Sequence, residues 1–162
     1  MKKFTFLFTL FILLFSFNAY AKNDELYSTF KQYSEHAQTA ETVLPLIQYY
    51  SDSQYQSFEI YFKHEDLKVG IDTLFSRLQF PSILTDEKMH HETITGNNGC
   101  LSVSGLTQDN KRISIYVGYV NSHRWLINHI NIEYLTDNED YLEKPICDNE
   151  VLMKKRMEAW SK

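Results

Sequence analysis

Between Thr93 and Tyr134 the apolar residues recur at every second position. Successive side chains of an extended chain point to opposite faces, so this period describes strands and excludes a long helix. After "ETIT", the run "NNG" is a turn signal, because Asn and Gly accept positive φ. "CLSVSGL" then puts Leu101 and Val103 on one face and Cys100, Ser102 and Ser104 on the other. "TQDNK" makes a second turn, and "RISIYVGYV" alternates Ile113, Ile115, Val117 and Tyr119 against Arg112, Ser114, Tyr116 and Gly118. "NSH" turns the chain into "RWLINHINIEYL". The pattern predicts an antiparallel meander of three long strands and a shorter leading one.

Upstream of Pro81 the period is 3.6. Leu26, Phe30, Tyr33, Ala37 and Ala40 form one stripe, which predicts a helix over 24–39 capped by Asn23 or Asp24. Thr42 is placed to cap a short second helix that tolerates Pro45 in its first turn, with Val43, Ile47 and Tyr50 as its stripe. Asp52 or Ser53 caps a third helix carrying Tyr55, Phe58 and Phe62. Leu67, Ile71, Leu74, Phe75 and Leu78 mark a fourth, weakened by Gly70 and ended by Pro81. Helices first and sheet afterwards predict an α+β fold, its N-terminal helices packed on a curved antiparallel meander. A helical C-terminal tail is expected from about Glu150 to Trp160.

The first 21 residues read as a signal peptide. Lys2 and Lys3 precede the apolar run Phe4 to Phe17, and Ala19 and Ala21 supply the small residues a signal peptidase reads. That run is shorter than the roughly 20 residues that cross a bilayer. Cleavage after Ala21 leaves residues 22–162 as one domain, with a core of about 24–135 and a tail of 136–162. Periplasmic export is the primary expectation, with secretion as the second and an uncleaved anchor as the alternative. Without Lys2 and Lys3, 14 basic residues face 21 acidic ones, a net charge of −7. That charge argues against a nucleic-acid partner, which needs a basic footprint. In an oxidising compartment Cys100 and Cys147 read as a structural disulfide. It would tie the tail back by closing a loop of about 48 residues, worth about 4 kcal/mol on the chain-entropy model.

In the last strand Trp125, Ile127 and His129 follow the helices as W-x-I-x-H. With that architecture, the chain resembles the nuclear transport factor 2-like superfamily over about Asp24 to Leu135. The resemblance implies a sheet curled around the helices into a cone with a pocket. Candidate lining residues are Tyr50, Phe58, Tyr61 and Tyr119, with Trp125, Ile127 and His129 facing the cavity by strand parity. The opposite parity, Leu126, Ile130, Ile132 and Tyr134, is also apolar. Enzymes of that superfamily use an aspartate–histidine pair or a pocket carboxylate. This sequence departs from that pattern. Asp52 falls where such proteins often place an acidic residue but reads equally as a helix cap. His129 as general base would need a hydrogen-bonded partner, with a satisfied pocket or core histidine as its simpler role. Members also pair through the sheet face, which implies a homodimer.

The stretch "KMHHETITGNNGC" draws attention for its adjacent histidines. On a strand His90 and Glu92 face one way and His91 the other, so the two histidines cannot share an ion. No metal or cofactor is expected, and neither a G-x-S-x-G elbow nor a phosphate-cradling loop occurs. Two functional classes follow. The first is an exported, non-catalytic module that binds a small apolar ligand, a peptide or a protein partner through the cone mouth or the outer sheet face. The alternative is a small isomerase, dehydratase or cyclase using His129 and a carboxylate such as Asp52.

Overall fold

The computed structural model describes residues 25–148 together with Val151, Lys154 and Met157. The expected signal peptide and the first-helix caps Asn23 and Asp24 lie outside the described residues. Among the described residues four α-helices come first: α1 (Glu25–Thr39), α2 (Leu44–Ile47), α3 (Asp52–Phe62) and α4 (Leu67–Leu78). A 3-10 turn (Phe80–Ile83) follows, then strands β1 (Asp86–Thr95), β2 (Asn98–Leu106), β3 (Arg112–Asn121) and β4 (Trp125–Leu135). The strands pair antiparallel in the order β1-β2-β3-β4, so the molecule is an α+β fold.

Local chemistry sets the helix starts, though not always at the expected residue. Val43, not Thr42, occupies the N-cap position of α2; its side chain has no acceptor and makes no cap, and Pro45 in the first turn removes one of the donors a cap would satisfy. Ser51 caps α3 by accepting from the Gln54 N–H at 3.4 Å, and Asp52 is the first helical residue. Asp66 caps α4 by accepting from the Lys68 and Val69 N–H groups. The α1 stripe is buried as expected at Leu26, Phe30, Tyr33 and Ala37. On α3 only Phe58 is fully buried, while Tyr55 and Phe62 are exposed. α3 is clamped from the side by α4 instead, where Gly70 lies so close that a methyl group there would sit 2.0 Å from the Tyr61 carbonyl oxygen.

The sheet departs from perfect alternation at two bulges. β1 is as long as its neighbours, not shorter, and slips at Lys88 between the pairs Glu87↔Gly105 and Met89↔Ser104. Its hairpin turns at Gly96-Asn97, one residue earlier than "NNG", with Gly96 at φ 59° as a first central residue. The second bulge is at Asn128, since Gly118 pairs with His129 while Tyr119 pairs with Ile127. Upstream of it, Tyr50 bridges Ile127 in parallel: the Ser51 N–H donates to the Ile127 carbonyl and the Ile127 N–H to the Tyr49 carbonyl.

Helices and sheet meet in one core that joins Leu26, Phe30, Leu74 and Leu78 to Leu101, Val103, Ile115, Val117 and Ile127. Tyr33 is its hub. The ring is fully buried, lies against Phe80 at 5.4 Å and meets Tyr49 and Tyr50 edge-on. Its hydroxyl donates to the Leu78 carbonyl at 2.5 Å and lies 2.9 Å from the Tyr50 hydroxyl, so no polar atom of the hub is stranded. The other face of the sheet is buried as well. Ser104 and Ser114 bond each other at 2.7 Å there, and Ser102 and Tyr116 are also inaccessible. The chain after β4 crosses this face: Tyr141 donates to the Gly105 carbonyl, its ring lies 4.5 Å from the Arg112 guanidinium, and Cys147 is bonded to Cys100. Of the expected terminal helix, Val151, Lys154 and Met157 are helical and the others lie outside the described residues.

Two substitutions test this packing. Ala exceeds Gly in helix propensity by about 1 kcal/mol, yet Gly70→Ala is expected to destabilise by about 1–3 kcal/mol, because the methyl group overlaps Tyr61. A urea midpoint that rises in Gly70→Ala contradicts the close crossing. Cys147→Ser is expected to lower the unfolding free energy by up to about 4 kcal/mol, measured under non-reducing conditions against the parent protein.

Candidate functional site

An open cleft of about 860 Å³ lies between the α3–α4 pair, the 3-10 turn and the inner face of β4. Phe58, Leu74 and Leu78 come from the helices, Phe80 and Ile83 from the turn, and Ile130 and Ile132 from the strand. The helical spacing of Leu74 and Leu78 aims both at the sheet, and Pro81 in the 3-10 turn folds Phe80 and Ile83 back over the same space. Neutral polar groups, among them Gln54, Ser57 and Gln79, border the opening. Arg77 is the one charged side chain among the described lining residues. Its guanidinium donates to the Tyr61 hydroxyl and lies 5.7 Å from the Tyr61 ring centre.

The seven candidate residues divide. Tyr50, Phe58 and Tyr61 line the cleft. Tyr119 and Ile127 are fully buried and belong to the core beneath the helices. Trp125 is half-buried at the far end of β4 and donates its indole N–H to Glu25 at 3.1 Å. His129 leaves the set altogether. The Asn128 bulge reverses the parity of β4, so His129 pairs with Gly118 and its ring occupies the space where a Gly118 side chain would be, 2.0 Å from a methyl group placed there. Gly118 in turn pairs with Cys100, which places the imidazole on the tail-covered face. Ile130 and Ile132 take the inward positions instead.

Asp52 is exposed in the first turn of α3, and no hydrogen bond or ion pair joins it to His129. Its neighbours do the local structural work: Ser51 and Ser53 both donate to the Asn128 carboxamide oxygen, at 2.9 and 3.0 Å. The helix start is thereby fastened to the bulge, which fixes where Phe58 and Tyr61 stand relative to Ile130 and Ile132.

The histidine pair of β1 has a structural explanation. His90 and Glu92 pair with Val103 and Leu101 on the inner face and His91 with Ser102 on the outer one. The Lys88 bulge adds Glu87 to the inner set. Tyr27 of α1 stacks on His90 at 3.6 Å, donates its hydroxyl to Glu87 at 2.7 Å, and donates its N–H to Glu92 at 2.9 Å. A carboxylate that accepts from the first turn of a helix is favoured by the helix dipole, so this cluster docks α1 on the edge strand. Among the described residues no group of three or more His, Cys, Asp or Glu side chains is arranged to hold a metal ion. No family model, curated protein or solved structure matches the chain.

Burial pushes the hydroxyls of Tyr33, Tyr50 and Tyr119 above the ordinary tyrosine range. For Tyr119 the nearby Tyr33 and Glu92 add to the effect. A folded pKa above the unfolded one means stability that is complete below about pH 10 and is lost as pH rises further. Each such tyrosine steepens the loss by about 1.4 kcal/mol per pH unit. Tyr119 differs from Tyr33 in having no hydrogen-bond partner for its hydroxyl. Tyr119→Phe is therefore expected to gain about 1 kcal/mol at neutral pH and to show a shallower alkaline decline. Urea titrations at neutral pH and above pH 10 measure both, and a destabilised Tyr119→Phe contradicts the assignment.

Proposed function

We propose that this chain is an exported, non-catalytic module that holds a small apolar ligand in the cleft between α3, α4 and β4. The observation that carries the reading is the cleft itself. Its volume of about 860 Å³ falls within the roughly 300–1,000 Å³ usual for small-molecule sites. Aliphatic and aromatic side chains form its walls, and a few polar groups, Arg77 the one charged among them, stand at its mouth, the composition of a site that takes up largely apolar molecules. Supporting a binding role over the isomerase-type alternative, the cleft contains neither His129 nor Asp52. A general base must come within about 3 Å, directly or through one water, of the proton it removes.

Export is supported by the leader-like residues 1–21 and by the Cys100–Cys147 disulfide, a bond that persists in oxidising compartments. The resemblance to the nuclear transport factor 2-like superfamily is part of the same proposal. Helices ahead of an antiparallel meander, with a pocket between them, are compatible with it.

The test uses N-phenylnaphthylamine, a neutral dye that brightens in apolar surroundings, with protein purified from periplasm. Saturable brightening is expected, and Ile132→Trp, which fills the cleft from the strand side, should weaken dye binding by at least about tenfold. Mass spectrometry of the solvent-extracted protein is expected to find an apolar compound that Ile132→Trp no longer retains. Dye binding unchanged by Ile132→Trp would place the apolar site elsewhere.

A further inference from the structure

We infer that the ligand of the cleft is an apolar carboxylate, its chain laid along the α4–β4 walls and its head held at the mouth by Arg77. This rests on the cleft being the binding site and adds the chemical class of what it takes.

The charge distribution is the first argument. The chain is acidic, with a net charge of −5, yet the one charged side chain among the described lining residues is a guanidinium. No carboxylate lies within ion-pair distance of Arg77 among the described residues. The neighbour of its guanidinium is Tyr61, which accepts one hydrogen bond and whose ring centre lies 5.7 Å from the guanidinium carbon. A guanidinium has five N–H donors in a fixed fork. The tyrosine holds that fork in place and leaves donors for a planar acceptor, and a carboxylate is the acceptor that matches the fork with two parallel bonds.

Position is the second argument. Leu74 and Leu78 are buried on the floor of the cleft, whereas Arg77, on the same helix, is exposed. One turn of α4 therefore presents apolar wall and cationic head group side by side. A ligand that matches both is amphiphilic in the same sense, with its charge at the water boundary and its chain against Phe80, Ile83, Ile130 and Ile132. A buried carboxylate would be costly to desolvate, and the rim placement of Arg77 avoids that cost. A cationic amphiphile of the same length meets charge repulsion at the same point.

Isothermal titration of the purified protein with dodecanoate, dodecanol and dodecyltrimethylammonium, each below its micelle concentration, tests the assignment. Dodecanoate is expected to bind at least about tenfold more tightly than dodecanol, the span of one charge-assisted hydrogen bond, and the ammonium more weakly than either. Arg77→Gln should bring dodecanoate to within about twofold of dodecanol in the same variant, and Arg77→Lys should keep part of the preference. Circular dichroism checks that the variants are folded. In the parent protein the preference should shrink between about 0.01 M and 1 M salt, where screening shortens from about 30 to 3 Å. Equal affinity for acid and alcohol in the parent protein overturns the carboxylate, as does an undiminished preference in Arg77→Gln, with the apolar cleft still standing. If none of the three chains binds, the binding reading falls and the head-group assignment falls with it.

Discussion

One extra residue in the last strand organises the cleft side of the molecule. Asn128 is inserted where β4 passes from Ile127 to His129, and three consequences radiate from it. The strand changes parity, which sends the imidazole outward and Ile130 and Ile132 inward. The carboxamide oxygen becomes an acceptor for Ser51 and Ser53, so the third helix begins at a fixed point on the sheet. Just before the insertion, the Tyr49–Ser51 segment lies along β4 with backbone bonds in both directions. Had β4 run straight, Ile130 and Ile132 would face the tail, and the cleft would lack its strand wall. Bulges next to sites are a common means of re-aiming side chains, and here the re-aimed residues are apolar.

Much of the architecture could be read from residue periods. Helix α1 is fixed by a stripe whose every fourth or third residue is apolar, and its burial at Leu26, Phe30, Tyr33 and Ala37 follows from that alone. The alternations in β2 and β3 are equally direct, because Ser102, Ser104 and Ser114 share one face and Leu101, Val103, Ile113, Ile115 and Val117 the other. β4 is where legibility stops. Both of its parities are apolar, so the period cannot choose a face, and the site inferred from Trp125, Ile127 and His129 inherits that ambiguity. A signal was nevertheless there: the inward residues switch from odd numbers, 125 and 127, to even ones, 130 and 132, and the step between the two sets falls on the polar pair Asn128-His129. Phe58 and Tyr61 were found, since a helix aims residues three apart at one neighbour. Leu74, Phe80 and Ile83 were missed as lining because their meeting depends on a 3-10 turn, which local sequence specifies only through Pro81.

The histidine-rich stretch makes the complementary point. Its composition suggests chemistry, whereas its geometry is that of a docking joint. Glu87, His90 and Glu92 reach one side of an edge strand through a bulge and an alternation, and a single residue, Tyr27, engages all three. Polar residues on an otherwise apolar inner face would be costly if left unpaired. Tyr27 in the first turn engages all three, which fixes the start of that helix while Tyr33 fixes its centre.

The segment after β4 has an outcome of a different kind. By running across Ser102, Ser104 and Tyr116 and closing with Cys147 on Cys100, it roofs the flat side of the sheet with the protein's own chain. A second copy approaching back-to-back would meet this roof, not the strands. Self-association by sheet stacking, the route implied by the family resemblance, thus requires either displacement of a covalently held strap or a dimer built on the strap itself.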